Sequence, residues 1–344
     1  MSRDEKEGPE VRPKAVALLS GGLDSSLAVR MMLDQGVDVE AVAIKTPFCD
    51  FDCGKGCGHR VKEVADELGI KLKTVYLGEE YLRMLKNPRH GYGSGMNPCI
   101  DCREMMYSAA KDHMDKIGAD FVVTGEVLFQ RPMSQNHRAL DIIENETGMA
   151  GKVLRPLSAK CLPPTEAEKA GIISRDKLGD IRGRSRKGQL AMAQQYGIID
   201  PPNAAGGCLL TDPAFSKRVS DLLDHSDGIP SINDVELLKV GRHFRLTAQA
   251  KLVVGRNEEE NGIIRALMME GDTLIESKEY VGPTCIVRGK NCDEADVVKS
   301  AAIALRYSDS PEDTESRVRV VGRGVESELS VRPAEDRDLE HLRI

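Results

Sequence analysis

At 344 residues, with 40% hydrophobic and 30% charged positions, the chain has the composition of an ordinary soluble protein with core enough for about two or three domains. A net charge of −7 argues against indiscriminate nucleic-acid binding but leaves room for local basic patches. No apolar run is long enough to span a bilayer, and the charged N-terminus is unlike a signal peptide, so a cytoplasmic chain without a membrane partner is expected.

Residues 1–13 read as a loose polar tail. From Lys14 strands and helices alternate: strand 15–19, helix 23–35, strand 39–44, helix 60–69, strand 71–76, a long helix around 101–117 and strand 120–124. This repetition predicts an α/β fold with a doubly wound parallel sheet over 14–157, its ligands at the C-terminal strand ends. Residues 78–100 read as a short helix and a Gly/Asn/Pro loop. Residues 158–213 read as a helical extension broken by Pro and Gly. A compositional change near Asp212-Pro213 opens a second, α+β domain over 214–344. There, helix 214–224, strands 237–246 and 250–254, helix 257–269, strands 273–276 and 284–287 and helix 293–305 are expected. A charged linker (308–315) then precedes a hairpin around Gly322–Gly324.

Three groups of residues carry chemistry. In the first, the apolar run Ala15–Leu19 ends in Ser20-Gly21-Gly22-Leu23-Asp24-Ser25-Ser26 and passes into a helical pattern. Two glycines let the backbone bend sharply at a helix N-terminus, whose N–H groups make an anion site, and the hydroxyls add donors. No Gly-Lys-Ser/Thr follows, so the loop is not a Walker A. An ordinary Gly-rich turn is the plain alternative.

The second group is cysteine. Nine are many for a reducing compartment, where metal or redox use outweighs disulfides. Cys99-Ile100-Asp101-Cys102 is a Cys-x-x-Cys ahead of a helix, which fits a redox pair, half a zinc site or iron–sulfur ligation. Cys208 follows Gly206-Gly207 far along the chain. Cys49, Cys53 and Cys57, with His59, form Cys-x3-Cys-x3-Cys-x-His, a candidate for zinc or a second cluster, or merely a Gly-rich loop. For Cys161, Cys285 and Cys292 buried packing is the default.

The third group is charge. Residues 175–187 hold six cations against two carboxylates, a patch suited to phosphate backbones or a solvated face.

The Ser20–Ser26 loop resembles the SGGxDSS signature of the PP-loop ATP pyrophosphatases, which cleave ATP between the α and β phosphates. Its combination with Cys99, Cys102 and Cys208 is similar to the tRNA thiolation branch of that superfamily. The 2-thiouridylases are one form, although many of them carry Asp where Cys99 stands. The other form is the iron–sulfur members, in which three such cysteines hold a [4Fe–4S] cluster. The resemblance implies ATP and Mg²⁺ bound by Ser20, Gly21, Gly22, Asp24, Ser25 and Ser26, with Thr124 and Gly125 beside the nucleotide. It implies Asp24, Cys99, Cys102 and Cys208 as catalytic residues, the three cysteines being cluster ligands or, in the other form, Cys102 and Cys208 being a persulfide-handling pair. The expected reaction is adenylation of a uridine carbonyl in tRNA, with pyrophosphate and then AMP released as sulfur enters from sulfide or a persulfide carrier. A homodimer is compatible with all of this. A PP-loop amide-forming or small-molecule ligase is the competing reading, and a non-catalytic RNA-binding or sensing protein a further one.

The thiouridylases' His after Thr-Gly is absent, since Glu126 stands there, and Arg131 is a candidate phosphate contact. The loop begins at residue 20, so no upstream RNA-binding domain of the 4-thiouridine type is expected, and no flanking zinc-finger pair is evident. Val240-Gly241-Arg242 and Val253-Val254-Gly255-Arg256 resemble, more distantly, the RNA-binding module of NFACT-type proteins over about 235–307.

Overall fold

The computed structural model describes residues 12–48, 57–198, 208–290, 292–322 and 324–344, the side chains of Cys57–His59 excepted. The chain divides into two units, Met1–Cys208 and Leu209–Ile344.

In the first unit β1 (Lys14–Leu18), α1 (Leu23–Leu33), β2 (Asp38–Lys45), α2 (Cys57–Leu68) and β3 (Lys71–Tyr76) are followed by α3 (Glu79–Lys86) and α4 (Cys99–Ile117). Then come β4 (Phe121–Thr124), α5 (His137–Glu146), β5 (Val153–Leu154), α6 (Glu166–Lys169) and α7 (Lys187–Gln195). The strands form one sheet in the order β3-β2-β1-β4-β5, parallel throughout.

Period-two alternation in β1 builds both layers of core. Ala15 and Ala17 pack with Leu27, Met31 and Met32 of α1 and Val61, Val64 and Ala65 of α2. Val16 packs with Tyr107, Ala110 and Met114 of α4 and Ile143 of α5 on the opposite face. Burial on both faces is why these strands are apolar runs rather than alternating ones. The strand order reverses between β1 and β4, which opens a crevice at their C-terminal ends.

The expected helical extension is mostly loop. Its α6 and α7 are short, yet Ile173, Leu178 and Ala193 join the α1 core, and Tyr196 Oη donates to Asp34 (2.7 Å). The long helix starts at Cys99 rather than 101, and α5, capped by the Asn136 side chain on the Ala139 N–H, was not foreseen.

The second unit contains α8 (Pro213–Asp224), α9 (Ile232–Leu238), β6 (Arg242–Arg245), β7 (Ala250–Val254), α10 (Glu258–Ala266) and β8 (Thr273–Ser277). It continues through β9 (Thr284–Gly289), α11 (Glu294–Arg306), β10 (Ser316–Gly322), β11 (Val325–Val331) and α12 (Asp336–Leu339). Its six-stranded sheet, β11-β10-β8-β9-β7-β6, is antiparallel. Ala301, Ala304 and Leu305 of α11 cover one face; Leu237 of α9 and Ile264 of α10 cover the other.

The α+β expectation holds, with one correction. Residues 237–246 are not one strand. A capping box at Ser231 and Asp234 starts a helix that runs to Leu238, and Gly241 at φ 76° turns the chain before β6 begins. No helix among the described residues is long and apolar enough to cross a membrane.

Candidate functional site

The Ser20–Ser26 loop lies where β1 hands over to α1, at the sheet's crevice. Gly21 has φ 73°, a left-handed conformation open to glycine, and Gly22 caps α1 without a side-chain cap of its own. The serines hold the turn in shape. Ser25 Oγ and Ser26 Oγ donate to the Gly22 carbonyl at 2.9 and 3.0 Å, and the Ser20 N–H donates to Ser25 Oγ at 3.3 Å. The first-turn amides of α1 are thereby presented to the crevice. Asp24 Oδ2 accepts from Gln130 Nε2 (2.9 Å), while Asp24 Oδ1 is buried without a hydrogen bond. An orphaned carboxylate oxygen beside a helix N-terminus fits a residue meant to face a cation, and Mg²⁺ of a bound nucleotide is the hard ion such an oxygen takes.

Thr124 and Gly125 come to the same place. A Cβ on Gly125 would fall 2.4 Å from the Ser25 nitrogen and 2.5 Å from the Asp24 carbonyl carbon, so β4 can end against α1 only as glycine. The next residue, Glu126, is 3% exposed and central to a buried network. Its Oε2 accepts from Tyr107 Oη (2.5 Å) and Arg155 Nε (3.1 Å), and Arg155 reaches on to Glu144 (2.5 Å). Arg103 Nε of α4 stands 3.6 Å from Glu126 Oε1. Burial opposes ionisation of Glu126, but Arg103 and Arg155 outweigh it and hold the carboxyl below its usual range. Burial and the neighbouring carboxylate push the Tyr107 hydroxyl up, so it stays a donor.

The three cysteines come from two places in the first unit. Cys99 and Cys102 lie half-buried in the first turn of α4. Burial raises the Cys99 pKa, partly offset by Arg103 and Arg131, which places both guanidiniums near the thiol. Cys208 is also half-buried. Among the described residues the three cysteines do not form a group with ligand atoms within 4.8 Å of one another; His90, Glu104 and Glu146 do. Cys49, Cys53 and Gly206-Gly207 lie outside the described residues, as does the Cys57 side chain. Of the three cysteines expected to be buried, only Cys285 is; Cys161 and Cys292 are half-buried.

The basic stretch splits in two. Arg175 turns inward, to Glu168 (2.5 Å) and the Ala159 and Leu162 carbonyls, and leaves the patch. Arg182, Arg184 and Lys187 are exposed, and the Gly183 N–H donates to the Leu128 carbonyl (2.7 Å), which brings them to the loop bearing Gln130. That loop also holds two side chains without a sequence signal. Phe129 is 44% exposed with φ 63°, uncommon for a bulky residue, and Met133 is 48% exposed.

In the second unit the Val-Gly-Arg runs pair across β6 and β7, Arg242 opposite Val254. Both close on Glu260, which accepts from the Gly241 and Arg256 N–H groups at 3.2 and 2.9 Å. Nearby, Arg218 donates to the Leu238 carbonyl (3.0 Å) while its Nε is buried without a hydrogen bond.

Fold and site together define a PP-loop protein: a parallel sheet whose Ser-Gly-Gly turn meets a Thr-Gly strand end at the switch point, joined to an antiparallel α+β unit. Residues 10–161 match the family described as Thiamine biosynthesis protein (ThiI). Residues 241–343 match the NFACT protein RNA binding domain, a wider span than the sequence suggested. The resemblance to thiolation-branch PP-loop proteins thus stands. A tRNA-specific 2-thiouridylase MnmA from Marinobacter nauticus is 31% identical over 259 residues, covering 71% of this chain and 62% of that protein. One from Methylobacillus flagellatus is 25% identical over 269 residues, covering 73% and 70%. The chain therefore spans a little under two thirds of the Marinobacter relative. The solved U34-tRNA thiolase NcsA from Methanococcus maripaludis, with its [4Fe-4S] cluster, is 15% identical at a TM-score of 0.33, over 62% of this chain and 66% of that one; a similarity that low carries no argument.

Proposed function

We propose that this chain is an ATP-dependent tRNA sulfurtransferase. The observation that carries the reading is the meeting of three elements at one strand-end crevice. The Ser20–Ser26 turn is held against Gly125, Asp24 is tied to Gln130, and Glu126 stands beside Arg103, the residue next to Cys102. Nucleotide loop and cysteine pair are thus linked through a single buried carboxylate.

In this reading the α1 amides and Ser20, Ser25 and Ser26 seat the ATP phosphates, with Asp24 toward Mg²⁺. When bound, that ion neutralises charge on the departing pyrophosphate. A uridine carbonyl oxygen attacks the α-phosphorus, the bond to the β-phosphate oxygen breaks, and pyrophosphate leaves. Sulfide sulfur then adds to the activated carbon, and the C–O bond breaks with its electrons going to AMP. The target base must be unstacked to reach the crevice, and the exposed Phe129 ring offers it a stacking surface. Arg131, Arg182, Arg184 and Lys187 would meet the backbone phosphates. The second unit adds an RNA-handling module, and a cytoplasmic location follows. The 2-thiouridine product is favoured over other thionucleosides.

Cys99 and Cys102 handle the sulfur, joined by Cys208. A [4Fe–4S] cluster would be held by Cys99, Cys102 and Cys208, each thiolate on its own iron, and would leave one iron open to carry sulfur. A persulfide handled by the Cys102 and Cys208 pair is the cluster-free form.

The deciding experiment is anaerobic purification with iron and sulfide analysis, followed by nucleoside mass spectrometry of tRNA incubated with ATP and sulfide. A thionucleoside formed with AMP and pyrophosphate is expected. Absence of thionucleoside sinks the reading, and full ATP turnover in C99A and C208A variants would favour the amide-forming ligase instead.

A further inference from the structure

Three side chains from three segments converge beside the cysteine helix and take no part in the chemistry above. His90 lies in the loop after α3, Glu104 in the second turn of α4 and Glu146 at the end of α5. His90 Nε2 stands 2.9 Å from Glu104 Oε1 and 3.7 Å from Glu146 Oε1, and one donor atom from each residue lies within 4.8 Å of the others.

Two further observations point to a ligand there. First, His90 Nε2 and Glu104 Oε1 are buried atoms that lack a hydrogen bond in spite of their close approach. An N–H aimed at an oxygen at that distance would make one. Two lone pairs aimed at a common third point would not. Second, the surroundings hold the donors in place without consuming them. Asp101, 3% exposed, accepts from the backbone N–H groups of Arg89 (2.6 Å) and His90 (3.2 Å) and pins the loop to α4. Arg89 takes Glu146 Oε2 (2.5 Å) and leaves Oε1 facing the imidazole. Outer partners of this kind orient the ligands of a metal site.

We propose that His90, Glu104 and Glu146 bind a divalent cation. One imidazole nitrogen and two carboxylate oxygens suit Zn²⁺, Mn²⁺ or Fe²⁺ and disfavour soft Cu⁺. Three protein donors leave coordination positions open to water. Loop, α4 and α5 are cross-linked there, and Glu104 follows Cys102 by two residues. The proposal is independent of the thiolation reading, because it rests on none of the cysteines.

Mn²⁺ is the discriminating probe, since it prefers oxygen and nitrogen donors to thiolates. The full-length chain, free of nucleotide, is titrated with Mn²⁺ and the free ion followed by electron paramagnetic resonance. One bound Mn²⁺ per chain is expected. Glu104→Gln and His90→Gln should each weaken binding at least about tenfold, with thermal unfolding of the metal-free proteins unchanged. Cys99→Ala, Cys102→Ala and Asp24→Asn should bind as the unaltered chain does. No bound Mn²⁺, or binding untouched by Glu104→Gln and His90→Gln, overturns the proposal.

Discussion

Gly125 shows how one missing side chain fixes a site. With the Ser25 nitrogen at 2.4 Å from the position of a Cβ and backbone on every near side, nothing flexible can yield. Gly125→Ala must push β4 and α1 apart, at a cost of about 1–3 kcal/mol. The displacement falls on the first-turn amides that would hold phosphate. Urea unfolding should show the loss, and calorimetry should show ATP binding reduced more than stability alone accounts for. Unchanged ATP affinity would separate Gly125 from the nucleotide.

His243 and Lys251 make the second unit pH-sensitive. His243 is 1% exposed; its Nε2–H donates to the Val240 carbonyl (2.8 Å) while Nδ1 is buried without a partner. Burial, with Lys251 and Arg218 nearby, drives its pKa well below the usual value. As pH falls below about 6.5 the unfolded chain takes up a proton that the folded unit refuses, so stability is lost by up to about 1.4 kcal/mol per pH unit. Lys251 is pushed down to about 8, burial outweighing Asp221. Below that pH both states are protonated and nothing changes. Between about 8 and the model-peptide value near 10.4 the unfolded chain binds more protons, and stability rises. Hydrogen exchange at the β7 amides at pH 5, 7 and 9 should therefore slow progressively, relative to intrinsic rates. His243→Leu should flatten the acid limb; a limb of the same slope would show that other groups govern it.

Among the elements, the joint of β4, α4 and β5 carries the largest electrostatic stake. The Glu126 and Arg155 side chains are each 4% exposed, and Glu126 balances both Arg155 and the partly exposed Arg103. Removing one partner of a buried ion set leaves the others uncompensated, which costs about 3–5 kcal/mol. Glu126→Ala should lower the urea midpoint accordingly. Glu126→Gln, which keeps the volume and one hydrogen-bond acceptor, should cost less. Equal losses in the two variants would mean that packing, not charge, is what Glu126 contributes.

This joint also shows what the sequence could tell. The strand runs and α1 were readable because apolar alternation and a Gly-Gly turn are local signals, and so was the arrival of Thr124-Gly125 at the loop, through the resemblance. Glu126 was visible only as a departure from a family pattern. Its partners are 23 and 29 residues away in sequence, and no periodicity encodes such a pairing. α5 was missed because its start signal is the Asn136 side chain accepting from the Ala139 N–H, and the apolar stripe behind it (Ala139, Leu140, Ile143) is short. Arg175 counted as patch until the fold gave it carbonyls to hold. The grouping of Cys208 with Cys99 and Cys102 came from the family resemblance, since no local pattern joins residues so far apart in sequence.

At the scale of the molecule, the proposed reaction on tRNA would need a chain of net charge −7 to attract a polyanion. Segregation is the physical answer: cations without carboxylate partners must be concentrated where the strand ends open. Arg182, Arg184 and Lys187 meet that condition, being exposed and without an ion pair among the described residues, and the Gly183–Leu128 hydrogen bond (2.7 Å) keeps them beside the crevice. Each phosphate neutralised by a side chain releases counterions, so affinity falls with salt by a slope of about 0.7–0.9 per contact. The triple variant Arg182→Gln, Arg184→Gln, Lys187→Gln should bind tRNA more weakly, with the slope of log K against log salt reduced by about 2–3. Preference among tRNA sequences should be left intact, because phosphate contacts carry no sequence information. An unchanged slope would move the phosphate contacts to the second unit, where Arg218 has no carboxylate partner among the described residues and its Nε lacks a hydrogen bond. Arg218→Gln would then have to reduce the slope instead.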